Sequence, residues 1–138
     1  MYKNGDKEYD MKIDKIKKTF ILSAQGFFKV EDGNSFLNDY NRLVKTFPTT
    51  NYSLIIDVSE LKASSPEVAA ILHQVVVRYM EVPFKRRFLV TQGSPVTLSQ
   101  FKRLGKGVKG FNESVEYVND QKEALQKLML PQKIKKYF

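Results

Sequence analysis

Apolar positions along this chain switch repeatedly between a period of two and a period of three to four. The switches divide it into alternating strands and helices, arranged around the stretch 52–80. Tyr52-Ser53-Leu54-Ile55-Ile56-Asp57-Val58 is a short apolar run rich in β-branched residues, with charge after it. That pattern predicts a strand buried on both faces, as in a parallel sheet. Ser64-Ser65-Pro66-Glu67 then predicts a helix start. Ser65 suits the cap, Pro66 the first helical position, and Glu67 the positive end of the helix dipole. In the helix that follows, Val68, Leu72, Val75, Val76 and Tyr79 share one face at steps of three and four. The opposite side, with Ala70, His73, Gln74, Val77 and Met80 at its edge, is less polar than a solvent face should be.

The flanking segments follow the same logic. Tyr9, Met11 and Ile13 alternate with polar residues and predict a half-buried strand; a more apolar strand follows over 19–27. The connection 15–18 is too short for a crossover, so the two form an antiparallel hairpin. Gly26 marks a bulge or a close backbone approach. Phe36, Leu37, Tyr40, Leu43, Val44 and Phe47 predict a helix over 35–47, stopped by Pro48, and 60–63 reads as a loop. A strand is expected over 87–91, then a helix over 96–104 with Val96, Leu98, Phe101 and Leu104 inward and Gly105 as its left-handed cap. A short strand over 113–118 precedes a last helix over 121–130, with Leu125, Leu128 and Met129 inward. The order β-β-α-β-α-β-α-β-α predicts one α/β domain: a mostly parallel mixed sheet of about five strands, an N-terminal hairpin and about four helices.

Composition narrows the classes. The 138 residues suit a single domain, expected over 8–130, with a loose tail at 1–7 and a basic tail at 131–138. There is no cysteine, so disulfides and thiolate chemistry are excluded. No apolar run approaches the ~18 residues of a membrane span, and the first residues lack a signal-peptide pattern. A cytoplasmic protein is expected. The net charge of +8 is uneven: residues 1–69 hold ten basic and ten acidic residues, whereas 70–138 hold thirteen and five.

Catalytic motifs are weak. Gly105-Lys106-Gly107-Val108-Lys109-Gly110 spells a dinucleotide fingerprint, but it follows a helix and precedes a strand, the reverse of what phosphate binding requires. His73, the only histidine, has Ala69 and Val77 four residues away and no cysteine partners, so neither a metal site nor a catalytic triad is expected. Asp57 and Glu60 lie near a strand's carboxyl end, where open α/β sheets bind ligands, but paired acids for proton transfer are not evident. No enzyme activity, cofactor or metal is expected.

The element order, with Ala24-Gln25-Gly26, Leu54-Ile55-Ile56-Asp57-Val58-Ser59-Glu60-Leu61, the helix opening at Ser64-Ser65, and Val115-Glu116-Tyr117-Val118 before Lys122-Glu123-Ala124-Leu125, resembles the STAS family of anti-sigma-factor-antagonist domains over residues 18–130. The resemblance implies a domain that regulates by docking to protein partners, often switched by phosphorylation of a hydroxyl in Asp-Ser-Ser/Thr-Gly. This chain has Ala63-Ser64-Ser65-Pro66-Glu67 instead, without the Asp or the Gly. Ser65 therefore reads first as a helix cap.

The expected function is a non-catalytic, regulatory interaction module. It binds a protein partner or a second copy through the loop residues Ser64, Ser65 and Glu67 and the helix residues His73, Val77 and Met80. An alternative is contact with nucleic acid or another anionic surface through Lys85, Arg86, Arg87, Lys102, Arg103, Lys106 and Lys109. Phe101 and Phe111 interleave with these cations but read as core residues. A third reading is a small-ligand or lipid-binding module.

Overall fold

The apolar run after Tyr52 is the middle strand of a five-stranded sheet in a computed structural model that describes residues 8–62, 65–92 and 95–129. The tails expected at 1–7 and 131–138, and Ser64, lie outside the described residues. In chain order the elements are β1 (Tyr9–Asp14), β2 (Thr19–Gly26), α1 (Val30–Leu43), a 3-10 turn (Thr49–Asn51), β3 (Ser53–Leu61), α2 (Pro66–Glu81), β4 (Arg86–Val90), α3 (Pro95–Lys106), the single turn α4 (Phe111–Ser114), β5 (Val115–Val118) and α5 (Gln121–Met129). The strands lie side by side in sequence order. Only the β1–β2 hairpin is antiparallel, and all other pairs are parallel.

Leu54, Ile55 and Ile56 are all buried, as expected for a strand covered on both faces. Leu22, Leu54, Ile56 and Leu89 face one core, closed by α1, α2 and α3. Ile55, Phe88, Val90 and Val118 face a smaller core with Ala124 of α5, flanked by Leu125 and Leu128. Helix α2 lies between α1 and α3. Gly33 of α1 permits the close approach: a Cβ there would sit 2.9 Å from Ile71.

Several expectations are corrected. Helix α1 starts at Val30, not 35, because Glu31 and Asp32 form its first turn and the Asp32 carboxylate accepts the Lys29 N–H at 2.9 Å. Phe47 therefore falls beyond the helix, where its ring packs 5.1 Å from Phe20 and 4.7 Å from Tyr52. Glu60 and Leu61 are strand, not loop: they pair with Gln25 and Gly26 after a register shift between Ser23 and Gln25. Gly26 itself marks the close approach, at φ +70 with Glu8 Oε2 2.6 Å from where a Cβ would lie. Gly105 is not a terminal cap. It is buried inside α3, where a Cβ would overlap the Phe111 ring. The buried row of α3 is Thr97, Phe101 and Gly105, at steps of four, so Val96 points out and is 70% exposed. Met129 is likewise outside, at the end of α5. The turn α4 brings a fifth helix, since Phe111 folds back onto Gly105.

Candidate functional site

Helix α2 starts as its sequence dictates. The Ser65 Oγ accepts the N–H of Val68 at 3.3 Å, Pro66 opens the helix, and Glu67 sits exposed in the first turn. Such a cap contributes about 0.5–2 kcal/mol. At the far end the Arg87 guanidinium, on β4, donates to the carbonyls of Tyr79 and Val82, each at 2.8 Å. It satisfies the last-turn acceptors that no helical N–H can reach. Burial pushes the Arg87 group below its ordinary value.

The inward face of α2 is Val68, Leu72, Val75, Val76 and Tyr79, all buried. On the outer flank Glu67, Ala70 and Gln74 are exposed. His73, Val77 and Met80 are half-buried. Val77 and Met80 pack against the core, and Met80 Cε lies 3.6 Å from where a Cβ on Gly110 would sit. The structure thus places His73, Val77 and Met80 inward of the open ridge of Glu67, Ala70 and Gln74.

Residues outside those expectations gather at the same end. Phe27 is 69% exposed, Val30 40% and Val96 70%. Phe27 follows Gly26, whose carbonyl accepts the Lys62 N–H at 2.9 Å, three residues before Ser65. Val30 opens α1 and Val96 lies in the first turn of α3. All three lie at the carboxyl ends of the parallel strands, the end at which α2 starts. The sequence hides this exposure, because Phe27 completes an apolar strand and Val96 fits a helical stripe.

Asp57 and Glu60 open onto the opposite face of the sheet. They line a cleft of about 240 Å³ with Tyr9, Asp10, Ser23, Ala24, Gln25 and Ser59. Asp57 is held in place: one oxygen accepts the Ser59 hydroxyl at 2.6 Å and the other the Gln121 amide at 2.8 Å.

The seven second-half cations do not act as one set. Arg86 makes a two-pronged pair with Glu116, at 2.8 to 3.0 Å, and donates to the Lys127 carbonyl at 3.1 Å. Arg87 closes α2, as above. Lys85, Lys102, Arg103, Lys106 and Lys109 remain exposed, with the Lys102 ammonium 5.6 Å over the Tyr117 ring. Phe101 and Phe111 are buried, so neither offers a face for base stacking.

Two comparisons with solved structures bear on this arrangement. The chain is similar to an uncharacterised protein of the DUF3478 family with a SpoIIAA-like fold from Shewanella loihica PV-4, at 18% identity and a TM-score of 0.66, over 93% of this chain and 98% of that one. It is also similar to an anti-sigma factor antagonist from Mycobacterium paratuberculosis, at 15% identity and a TM-score of 0.54, over 88% of this chain and 95% of that one. No family profile matches the chain, and no curated protein does. At these identities the likeness establishes the fold, a STAS-like, SpoIIAA-like α/β domain. Among the described residues no helix is long and apolar enough to cross a membrane.

Proposed function

We propose that this chain is a cytoplasmic, non-catalytic regulatory module that docks a protein partner, or a second copy of itself, at the start and outer flank of α2. The observation that carries this reading is the exposure of three large apolar side chains, Phe27, Val30 and Val96, at the end of the sheet where α2 starts, together with the open ridge of Glu67, Ala70 and Gln74. Apolar side chains rimmed by polar ones mark interaction surfaces. The fold shared with an anti-sigma factor antagonist supports a partner that is itself a protein. Phosphate on Ser64 or Ser65 would sit at a helix N-terminus, which favours it, but beside Glu67, which repels it.

Two alternatives have less support. Contact of an anionic surface with the second-half cations keeps five of its seven residues. The ligand-binding alternative meets an apolar space between sheet and helices of about 20 Å³, lined by Leu22, Phe36, Ile56, Leu72 and Phe101 among others. That is room for about one water rather than an acyl chain.

The test combines affinity capture with variants, exposed residues first. Phe27→Ser with Gln74→Arg is expected to lose the captured partner while melting within a few degrees of the parent. His73, Val77 and Met80 are then probed singly, because their packing confounds a charge substitution. A double variant that retains the partner at unchanged affinity removes this docking surface. Sedimentation of the purified chain separates self-association from a second protein.

A further inference from the structure

The turn joining β1 and β2 carries Lys15, Lys17 and Lys18 around Ile16, and Ile16 is 94% exposed. The turn is built rather than slack. One oxygen of the Asp14 carboxylate accepts the N–H groups of Ile16 at 3.0 Å and Lys17 at 2.9 Å. The Lys18 carbonyl accepts the Ser53 N–H at 3.0 Å, and the Lys18 ammonium lies 5.7 Å over the Tyr52 ring. On the other side of Tyr52, the Lys85 N–H donates to the Tyr52 carbonyl at 2.8 Å. Lys45 follows the α1 cap and lies two residues before Phe47, which packs on the same ring. Five exposed lysines thus lie at the amino ends of the parallel strands, two of them, Lys18 and Lys85, directly at Tyr52. Among the described residues none of the five is in an ion pair.

Lysine is a compact point charge that suits a phosphate but reads no base edge. Ile16 is an aliphatic side chain offered to solvent in the middle of that charge. Stable seating on a bilayer draws on a larger apolar face than one side chain offers. Phe27, Val30 and Val96 lie at the opposite ends of the strands, near Glu31, Glu60 and Glu67. We propose that the amino end of the sheet seats duplex nucleic acid, with these lysines on backbone phosphates and Ile16 entering the minor groove as a wedge. Aliphatic wedges of this kind part base steps in architectural proteins, and phosphate contacts supply the affinity. Binding is then independent of sequence.

The test is fluorescence anisotropy of the full chain with a labelled 20-base-pair duplex of mixed sequence. Saturable binding is expected, with affinity falling about 500-fold between 50 and 200 mM salt, the slope for five phosphate contacts. Lys15→Glu, Lys17→Glu and Lys18→Glu combined should weaken binding at least about 100-fold, with folding checked by thermal melting. Ile16→Ser should weaken it about tenfold while leaving the salt slope unchanged, a split that loss of charge cannot produce. The proposal is overturned by no binding at 50 mM salt, or by a folded triple variant that binds like the parent. Equal binding of poly-glutamate, or tighter binding of phosphatidylserine vesicles, with the same response to the variants would overturn it as well.

Discussion

The two ends of the sheet differ in charge, and the difference follows from the direction of the helices. Each long helix returns antiparallel to the parallel strands, so helix starts collect at the carboxyl ends of the strands and helix stops at the amino ends. The first turns carry Glu31 and Asp32 in α1, Glu67 in α2 and Glu123 in α5. The last turns carry Arg42 in α1, Arg78 in α2, Arg103 and Lys106 in α3 and Lys127 in α5. Each such placement is favoured by the helix dipole, by about 0.3–1 kcal/mol. Summed over a layer of co-directed helices, a local preference becomes a polarity of the whole domain. The carboxyl end combines carboxylates, with Lys29 and Lys62 among them, and three exposed apolar side chains. The amino end combines lysines and Ile16, and its carboxylates Glu81 and Glu116 are paired with Arg78 and Arg86. The two proposed surfaces thus use different residues, so one domain could hold both without competition.

Substituting what both ends share perturbs the domain most. Leu72 is buried between α2 and the sheet. Leu72→Ala should cost about 2–5 kcal/mol, read as a lowered urea midpoint, and should weaken both surfaces together. Gly105→Ala acts on the amino end, where the added carbon meets the Phe111 ring, and about 1–3 kcal/mol of overpacking is expected. Arg87→Met loses two charged hydrogen bonds to the last turn of α2, for about 1.5–3 kcal/mol. Hydrogen exchange should quicken first at Tyr79 to Val82. Ser65→Ala is milder, about 0.5–2 kcal/mol, and should quicken exchange at Val68 instead. If Arg87→Met and Ser65→Ala loosen the same amides, the ends of α2 are not independent and the two-surface reading loses its basis.

These features were unequally legible. Helix α2 could be read in full, because cap chemistry, proline placement and the apolar stripe agree over one continuous segment. The inward row of α3 could not: it runs through Thr97 and Gly105, neither an apolar signal, and it is set by Phe111 folding back from the next turn. The same long-range cause hid the roles of Arg86 and Arg87, whose partners are Glu116 and the end of α2. Charge was read by halves of the chain, neutral then basic. The fold divides it by ends of the sheet, so Lys15, Lys17, Lys18 and Lys45 from the neutral half join Lys85 from the basic one. The cap role of Ser65 and the first-turn place of Glu67 are legible in local pattern; the exposure of Phe27 and Val96 is not, because exposure depends on the neighbours a strand or helix finds.

The smallest expected effects lie within one strand, since β1 runs from the carboxyl end of the sheet at Tyr9 to the amino end at Asp14. Burial, then donation of its hydroxyl to Asp39, pushes the Tyr9 phenol up to about 12. Below about pH 10 the phenol is protonated in both folded and unfolded chains, and its contribution is complete. Between about 10 and 12 the unfolded chain releases the proton and the folded chain keeps it, so stability falls as pH rises through that window. Tyr40 and Tyr79, buried in the same core, are also raised and add to the slope. Tyr9→Phe should remove part of it, read as urea midpoints across the window. Asp14 behaves oppositely. The N–H groups of Lys17 and then Ile16 hold its carboxyl below the ordinary aspartate range. Its contribution is present above the unfolded value and is lost as pH falls through the lowered folded one. Acid should therefore release the lysine turn, read as shifts of the Ile16 and Lys17 amides, while Tyr9 is untouched. Base should loosen the other end of β1 and leave those amides in place. Amide shifts that track the alkaline transition as well would mean that β1 yields as one unit, and that its two ends are not separately held.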